Sequence, residues 1–424
     1  MAPNRPRLLF LAQTLPYPPD SGVAIRTLNV LRLLAREFDV TALCFYRRAV
    51  RPTAAQVRES LAALGALARV EAFPIPQEHS APRLLRDHLA SLLRGRVYTV
   101  AAYDSAGFRA RLRELLREGR FDLAHVDSLD LSGYLDEIPA AVPVVCAHHN
   151  VESRLLERRA GAEPSLARRA YLRHQARLML REERRWCPRV ALNTAVSRED
   201  RDVFERAVPG ARFTVVPNGV DTREIRPAAE DAPQEGLAFA GGYGWFPNRD
   251  ALAHFCADVL PRLRDSGCDP PVRWVGEAPE QVRREYRERH GVELTGYVPD
   301  VRPHVQGAAC YVVPLRVGGG TRLKILEAWA MGKAVVSTAV GCEGLDARDG
   351  ENILVRDDPG EFAAAVRRVL DDASLRRRLG EAARRTAVEV YDWDVIGVEM
   401  VGEYAALAGA PGAREPVRRM AFLR

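Results

Sequence analysis

The sequence predicts an α/β chain of two doubly wound, Rossmann-like domains, and three observations carry that expectation. A length of 424 residues exceeds what a single hydrophobic core usually serves. Short apolar runs alternate with stretches of period near 3.6 from end to end, the rhythm of βα units and parallel sheets. In VVPNGVDTREIRPAAEDAPQEG an apolar run meets Pro217-Asn218-Gly219 and a polar, Pro-containing stretch, which reads as a domain junction. The expected boundaries are 1–217, 218–391, a helix over 392–408 and a loose tail over 409–424.

The strands follow in order. RLLFLAQ, DVTALCFY, FDLAHVDS, PVVCAHH, RVALNTAVS and FTVVP punctuate the first half, and LAFAGG, VRWVG, VELTG, CYVVPL and AVVST the second. Ligands of such sheets bind beyond the carboxyl ends of the strands, so the turns there are searched first.

Composition narrows the partners. Hydrophobic residues at 47% and charged residues at 28% fit an ordinary folded protein. The formal charge of +6 favours anionic partners such as a nucleotide, phospholipid head groups or nucleic acid, without choosing among them. Seven cysteines without a CxxC pair argue against a zinc knuckle or disulfide framework and for a reducing, cytoplasmic compartment. The run LLFLA is too short for a signal segment or a membrane span, so any membrane contact is expected to be peripheral. No nucleic-acid motif accompanies the basic stretches.

Four stretches can carry chemistry. PYPPDSG places Ser21 as a helix cap and Gly22 at a helix start, an anion cradle or an ordinary glycine turn. PVVCAHHNVESR gathers His148, His149, Asn150 and Glu152 past a strand. Metal binding there is disfavoured, because adjacent histidines do not readily share one ion. FAGGYGWFPNRDAL joins a strand, Gly242 and a helix opened by Pro247-Asn248. Its Trp245 and Phe246 read as packing residues.

The fourth stretch, VVPLRVGGGTRLKILEAWAMGKAVVST, runs Gly318, Gly319 and Gly320 into a helical pattern with Thr321 as its cap candidate. A helix start there would offer the amides of Thr321, Arg322 and Leu323 to an anion. Glu327 would lie roughly 9 Å further along the axis, at about 1.5 Å per residue, near the span from phosphate to ribose. A carboxylate so placed accepts from two ribose hydroxyls, and Arg322 or Lys324 supplies charge to a diphosphate.

Two further stretches, RLLRDHLASLLRGR and SRLLERRAGAEPSLARRAYLRHQARLMLREERRWCPR, mix arginine with leucine at helical spacing, the latter read as one helix. Each is either a solvated face packed on a sheet or a basic amphipathic face for anionic lipid.

Together, PYPPDSG, TAVSRED, VVPNGVD, FAGGYGWFPN, GYVPDVRPHV, GGGTRLKILEAWAMGKAVVST and GCEGL resemble the GT-B fold, retaining family 4 glycosyltransferases of the group 1 type, over nearly the whole chain. The resemblance implies two Rossmann-like domains facing each other across a cleft, with the segment around Trp393 crossing back to the first. It implies a nucleotide-diphosphate sugar as donor, a glycan or lipid-linked acceptor, retention of configuration, and no cofactor or essential metal. Polysaccharide or glycoconjugate synthesis on the cytoplasmic face of a membrane is the expected setting.

By the same resemblance, Ser21, Gly22, Gly242, Gly319, Gly320, Thr321, Leu323 and Glu327 are donor-binding, with Glu327 on the ribose. His149 is the group that approaches the donor sugar, His148 its rival, and Asn150 and Glu152 further sugar or acceptor contacts. The chain departs from the family pattern at Gly319, where an earlier carboxylate is usual, and at GGYGWFPN, where the family tends to place an Arg and a Lys. Arg322 and Lys324 are the expected substitutes for that charge. A nucleotide-sugar 2-epimerase of the same fold and a non-catalytic binding subunit are the alternatives.

Overall fold

The computed structural model describes residues 5–51, 53–78, 80–229, 232–318 and 322–409. By contact the chain divides into two compact units, Met1–Pro217 together with the chain from Gly397, and Asn218–Ile396. The tail expected over 409–424 lies outside the described residues from 410 onward.

The first unit holds a seven-stranded sheet of β1 (Arg7–Ala12), β2 (Asp39–Tyr46), β3 (Arg69–Pro74), β4 (Leu123–Val126), β5 (Val144–Ala147), β6 (Leu192–Ala195) and β7 (Phe213–Val215). Its order is β3-β2-β1-β4-β5-β6-β7, and every neighbouring pair is parallel. The centre is apolar because parallel strands are covered on both faces: Leu8 to Ala12 are all fully enclosed.

The second unit holds β8 (Leu237–Ala240), β9 (Val272–Val275), β10 (Val292–Leu294), β11 (Cys310–Val313), β12 (Val335–Ser337) and β13 (Leu354–Val355). The order β10-β9-β8-β11-β12-β13 is again parallel throughout. Each sheet reverses direction of winding once, between β1 and β4 and between β8 and β11. Those reversals are the switch points at which ligands of open α/β sheets bind.

Both doubly wound sheets were expected, and all eleven quoted apolar runs form strands. Missing from that reading were β3 and β13. RVEAFP lies at a sheet edge with no fully buried residue, and LV is too short to show a period. The long arginine-rich stretch is not one helix but two, Glu152–Ala162 and Leu166–Trp186. Pro164 falls in the break, where a residue without an amide donor cannot continue the helix, and Ser165 accepts from the Arg168 amide to open the second.

The junction is fixed by close approach. A Cβ on Gly219 would stand 2.7 Å from the Trp393 ring, and Val220 pairs with Asp392, so the segment after Asn218 returns to the start of the helix Trp393–Leu407. From Gly397 this helix packs within the first unit. Gly397 sits against Leu33, Glu403 accepts from Thr214 at 3.0 Å, and the Tyr404 hydroxyl meets His125 Nδ1 at 2.9 Å.

Candidate active site

In the second unit the reversal is built by the turns after β8 and β11. Gly241 donates to Val275 O at 2.7 Å, and a Cβ on Gly241 would lie 2.6 Å from the Asn248 amide, so glycine is required for that approach. Asn248 donates to Gly242 O at 3.0 Å and accepts from Lys324 Nζ at 2.8 Å. The same ammonium lies 3.8 Å from the centroid of the Phe239 ring, a cation–π contact. Burial pushes the Lys324 pKa well down, Arg322 adds to that, and Glu327 opposes it.

The helix after β11 spans Leu323–Ala330, with Arg322 at its cap position and no side-chain cap bond. The expected cap, Thr321, lies outside the described residues, as do Gly319 and Gly320. Arg322 is 7% exposed and donates to Val340 O at 3.2 Å. Its guanidinium crowds Gly318, where φ is +148° and a Cβ would stand 2.7 Å away. The turn after β12 aims that carbonyl, with the Gly341 amide bonded to Thr338 Oγ1 at 2.9 Å.

Glu327 is half-buried, and no described residue hydrogen-bonds its carboxylate. Burial pushes its pKa up to about 7, against the pull of Lys324 and Arg302. Trp245 and Phe246 do not pack as expected. They are 65% and 50% exposed, because the helix Phe246–His254 buries Pro247, Asn248, Ala251 and Leu252 instead.

In the first unit Ser21 caps the helix Gly22–Leu34 by accepting from the Ala24 amide at 3.3 Å, and Gly22 is exposed at its first turn. Arg51 pins this loop through Asp20 at 3.1 Å and Tyr17 O at 3.1 Å.

The two adjacent histidines have opposite surroundings. His148 is 4% exposed, donates from Nε2 to Asn193 Oδ1 at 3.0 Å, and packs 4.6 Å from the Phe204 ring. Burial lowers its pKa to about 4, so it is an interior, neutral side chain with no face left for a sugar. His149 turns the other way, and its Nε2 donates to the Asp127 carbonyl at 2.7 Å. Asn150 donates to Glu152 Oε1 at 3.1 Å. Burial and then Asp130 raise the Glu152 pKa, and burial raises that of Asp130.

Asp127 and Asp130 escaped the sequence reading, although FDLAHVDS carries Asp127 just past the carboxyl end of a strand, the rule that selected His149. Asp127 is fully buried and accepts from Thr27 at 2.6 Å. His125 Nε2 lies 3.4 Å from one carboxylate oxygen, and His149 Nε2 3.5 Å from the other. Burial opposes its ionisation, but His149 and His125 together hold the carboxyl well below the usual range. Among the described residues no cluster of His, Cys, Asp or Glu could hold a metal.

Models of two families cover most of the chain, Glycosyltransferase Family 4 over residues 21–224 and Glycosyl transferases group 1 over residues 234–372. The chain belongs to the family 4, group 1 glycosyltransferases. Among curated relatives, a glycogen synthase of Mycobacterium tuberculosis is 28% identical over 54% of this chain and 57% of its own length. A phosphatidyl-myo-inositol mannosyltransferase of Mycolicibacterium smegmatis is 29% identical over 47% of this chain and 54% of its own. The match thus spans little more than half the length of these relatives. Of solved structures, the sucrose-phosphate synthase of Thermosynechococcus elongatus superposes with a TM-score of 0.68 at 17% identity, covering 95% of this chain and 99% of that one. Anabaena HepE in complex with UDP gives 0.63 at 16%, over 94% and 100%. At such identity these likenesses speak for the fold, the two-domain α/β fold of GT-B glycosyltransferases.

Proposed function

We propose that this glycosyltransferase moves a sugar from a nucleotide-diphosphate sugar to a hydroxyl of a glycan or lipid-linked acceptor, with retention, in polysaccharide or glycoconjugate synthesis. The observation that carries the donor assignment is Glu327, a half-buried carboxylate without a hydrogen-bond partner among the described residues, beside an ammonium fixed by Asn248. Two ribose hydroxyls donating to that carboxylate would satisfy it, and an ionised acceptor makes such bonds strong. The HepE complexes with UDP and with UDP-glucose, and the mannosyltransferase and glycogen synthase names of the relatives, support a nucleotide-sugar donor and a glycan or lipid-linked acceptor.

In this reading Arg322 and Lys324 stabilise charge on the departing diphosphate and Gly242 and Leu323 contact the donor in the second unit; in the first unit Ser21 and Gly22 form an anion-binding turn and His149 hydrogen-bonds a sugar hydroxyl. Asn150 and Glu152 contribute acceptor or sugar contacts. No essential metal or cofactor is invoked, because the cations are protein side chains. We place the enzyme on the cytoplasmic side of a membrane, in peripheral contact with anionic lipid; no helix of the described residues is long and apolar enough to cross one.

The test is incubation with UDP-, GDP- and TDP-sugars, each with and without a glycan acceptor, followed by nuclear magnetic resonance of the products. Release of nucleoside diphosphate with a retained anomeric linkage is expected. An altered nucleotide sugar would identify an epimerase, binding without turnover a non-catalytic subunit, and an inverted product would refute retention.

A further inference from the structure

The helix Ala81–Arg94 has its polarity inside out. Its inward side is polar: Asp87 is 4% exposed and Ser91 fully enclosed. Asp87 accepts from Gln77 at 3.1 Å and from Arg86 at 3.3 Å, while Ser91 bonds to Gln175, and its carbonyl meets His174 Nε2 at 3.3 Å. His88 reaches the Tyr171 hydroxyl at 2.6 Å and stacks on Tyr98 at 4.2 Å. The helix is thus moored to Leu166–Trp186 by a hydrogen-bonded seam.

Its outward side is a leucine surface. Leu85, Leu89, Leu92 and Leu93 follow the i, i+4, i+7, i+8 spacing of one helical face, and they are 62%, 48%, 53% and 83% exposed. Leu84, 40% exposed, extends the patch. Isolated exposed apolar residues need no explanation, but a contiguous set on one helix marks an interaction surface. The polar seam also fixes the rotation, since turning the leucines inward would strip Asp87 and Ser91 of partners at about 1–3 kcal/mol per unsatisfied group.

We propose that this face docks on an anionic phospholipid surface, the leucines entering the acyl boundary and the arginines meeting lipid phosphates. Charge complementarity selects this occupant. The helix's one acid, Asp87, is buried and bonded by Arg86, so its exposed charges are cationic: Arg86 and Arg94, with Arg96 just past the helix, 3.9 Å from Asp104. An amphipathic helix with a basic rim binds anionic interfaces by apolar insertion and electrostatics together. The inference rests on the peripheral membrane contact proposed above and names the surface that makes it; its readout is independent of turnover, so its failure would leave the transfer reaction untouched.

The full chain is cosedimented with vesicles of phosphatidylcholine alone or mixed with phosphatidylglycerol. Preferential binding to the mixed vesicles is expected, weakening with salt. Leu89→Glu with Leu93→Glu should reduce partitioning at least about tenfold. Arg94→Gln with Arg96→Gln should abolish the preference for anionic lipid while leaving residual binding. Circular dichroism and sedimentation velocity accompany each variant, and the arginine pair keeps the test decisive should the leucine pair misfold. Absence of binding to either vesicle would overturn the proposal, as would leucine variants that bind like the parent. A dimer dissolved by the leucine substitutions with lipid binding unchanged would overturn it too, assigning the face to a second copy of the chain.

Discussion

Asp127 follows β4 in the first unit, and Glu327 lies on the helix after β11 in the second, so each acid stands at the switch point of its own sheet. Asp127 is enclosed by Thr27, His125 and His149, and its carboxyl is held low. Glu327 has no hydrogen-bond partner among the described residues, and its carboxyl is held high, at about 7. A buried charge that the fold satisfies contributes rigidity, and one that the fold leaves unsatisfied is poised for a ligand. The first unit presents a finished network and the second an unfinished one.

The largest expected break is in the second unit's cations. An Arg322→Ala, Lys324→Ala double variant should lose about 10²–10³-fold in kcat, the scale of removing donors from a developing anion. Nucleoside diphosphate affinity, read by calorimetry, should fall with it. Unchanged affinity would remove both side chains from the donor site.

Exchanging the two acids for amides should move stability and binding in opposite directions. Glu327→Gln relieves a half-buried carboxylate that no described residue hydrogen-bonds, so its melting temperature should hold or rise while nucleotide affinity falls about 10–100-fold, the value of charge-assisted hydrogen bonds lost. Asp127→Asn should cost about 1.5–3 kcal/mol of stability in denaturant unfolding with nucleotide affinity unchanged. If Glu327→Gln were the destabilised variant, the contrast between finished and unfinished networks would collapse.

A smaller effect separates the neighbouring histidines. His149→Ala should lower kcat by about tenfold to a hundredfold through loss of one sugar hydrogen bond with modest change in melting temperature. His148→Ala should lower the melting temperature, since it empties a site between Asn193 and Phe204, and leave kcat nearly intact. The reverse pattern would exchange their roles.

What the sequence discloses differs between these layers. Strands such as RLLFLAQ and CYVVPL are legible because burial on both faces demands continuous apolar runs. The edge strand RVEAFP is not, because its side chains are only half-buried. Lys324 and Glu327 are legible as a pair on a helix, but the Asn248 clamp depends on a β8 turn 76 residues away in sequence. Asp127 is one acid among many until β4 carries it beneath His149. In RLLRDHLASLLRGR the leucine spacing is plain, whereas the face turned inward is decided by Gln77, Tyr171 and Gln175, which only the fold assembles.

The finest test of the comparison is pH. The Glu327 carboxyl titrates at about 7 in the folded chain against an ordinary 4.5, so between those values the folded state binds more protons than the unfolded one. Stability of the unliganded protein should therefore fall as pH rises through that window and level off above 7. Nucleotide binding needs the ionised carboxylate, so affinity should climb over the same range, approaching about tenfold per pH unit on the acid side. Lys324, whose pKa is pushed down, should blunt the gain as it loses its proton at higher pH. Asp127 does not confound the window, because its depressed pKa confines its contribution to acid: present above the ordinary carboxylate range and lost only as pH falls through the folded value. Calorimetric titrations with a nucleoside diphosphate at several pH values, paired with thermal melts, should yield opposite slopes in the parent. In Glu327→Gln this contribution to both slopes should vanish, and a parent whose affinity and stability rose together would place the titrating group elsewhere.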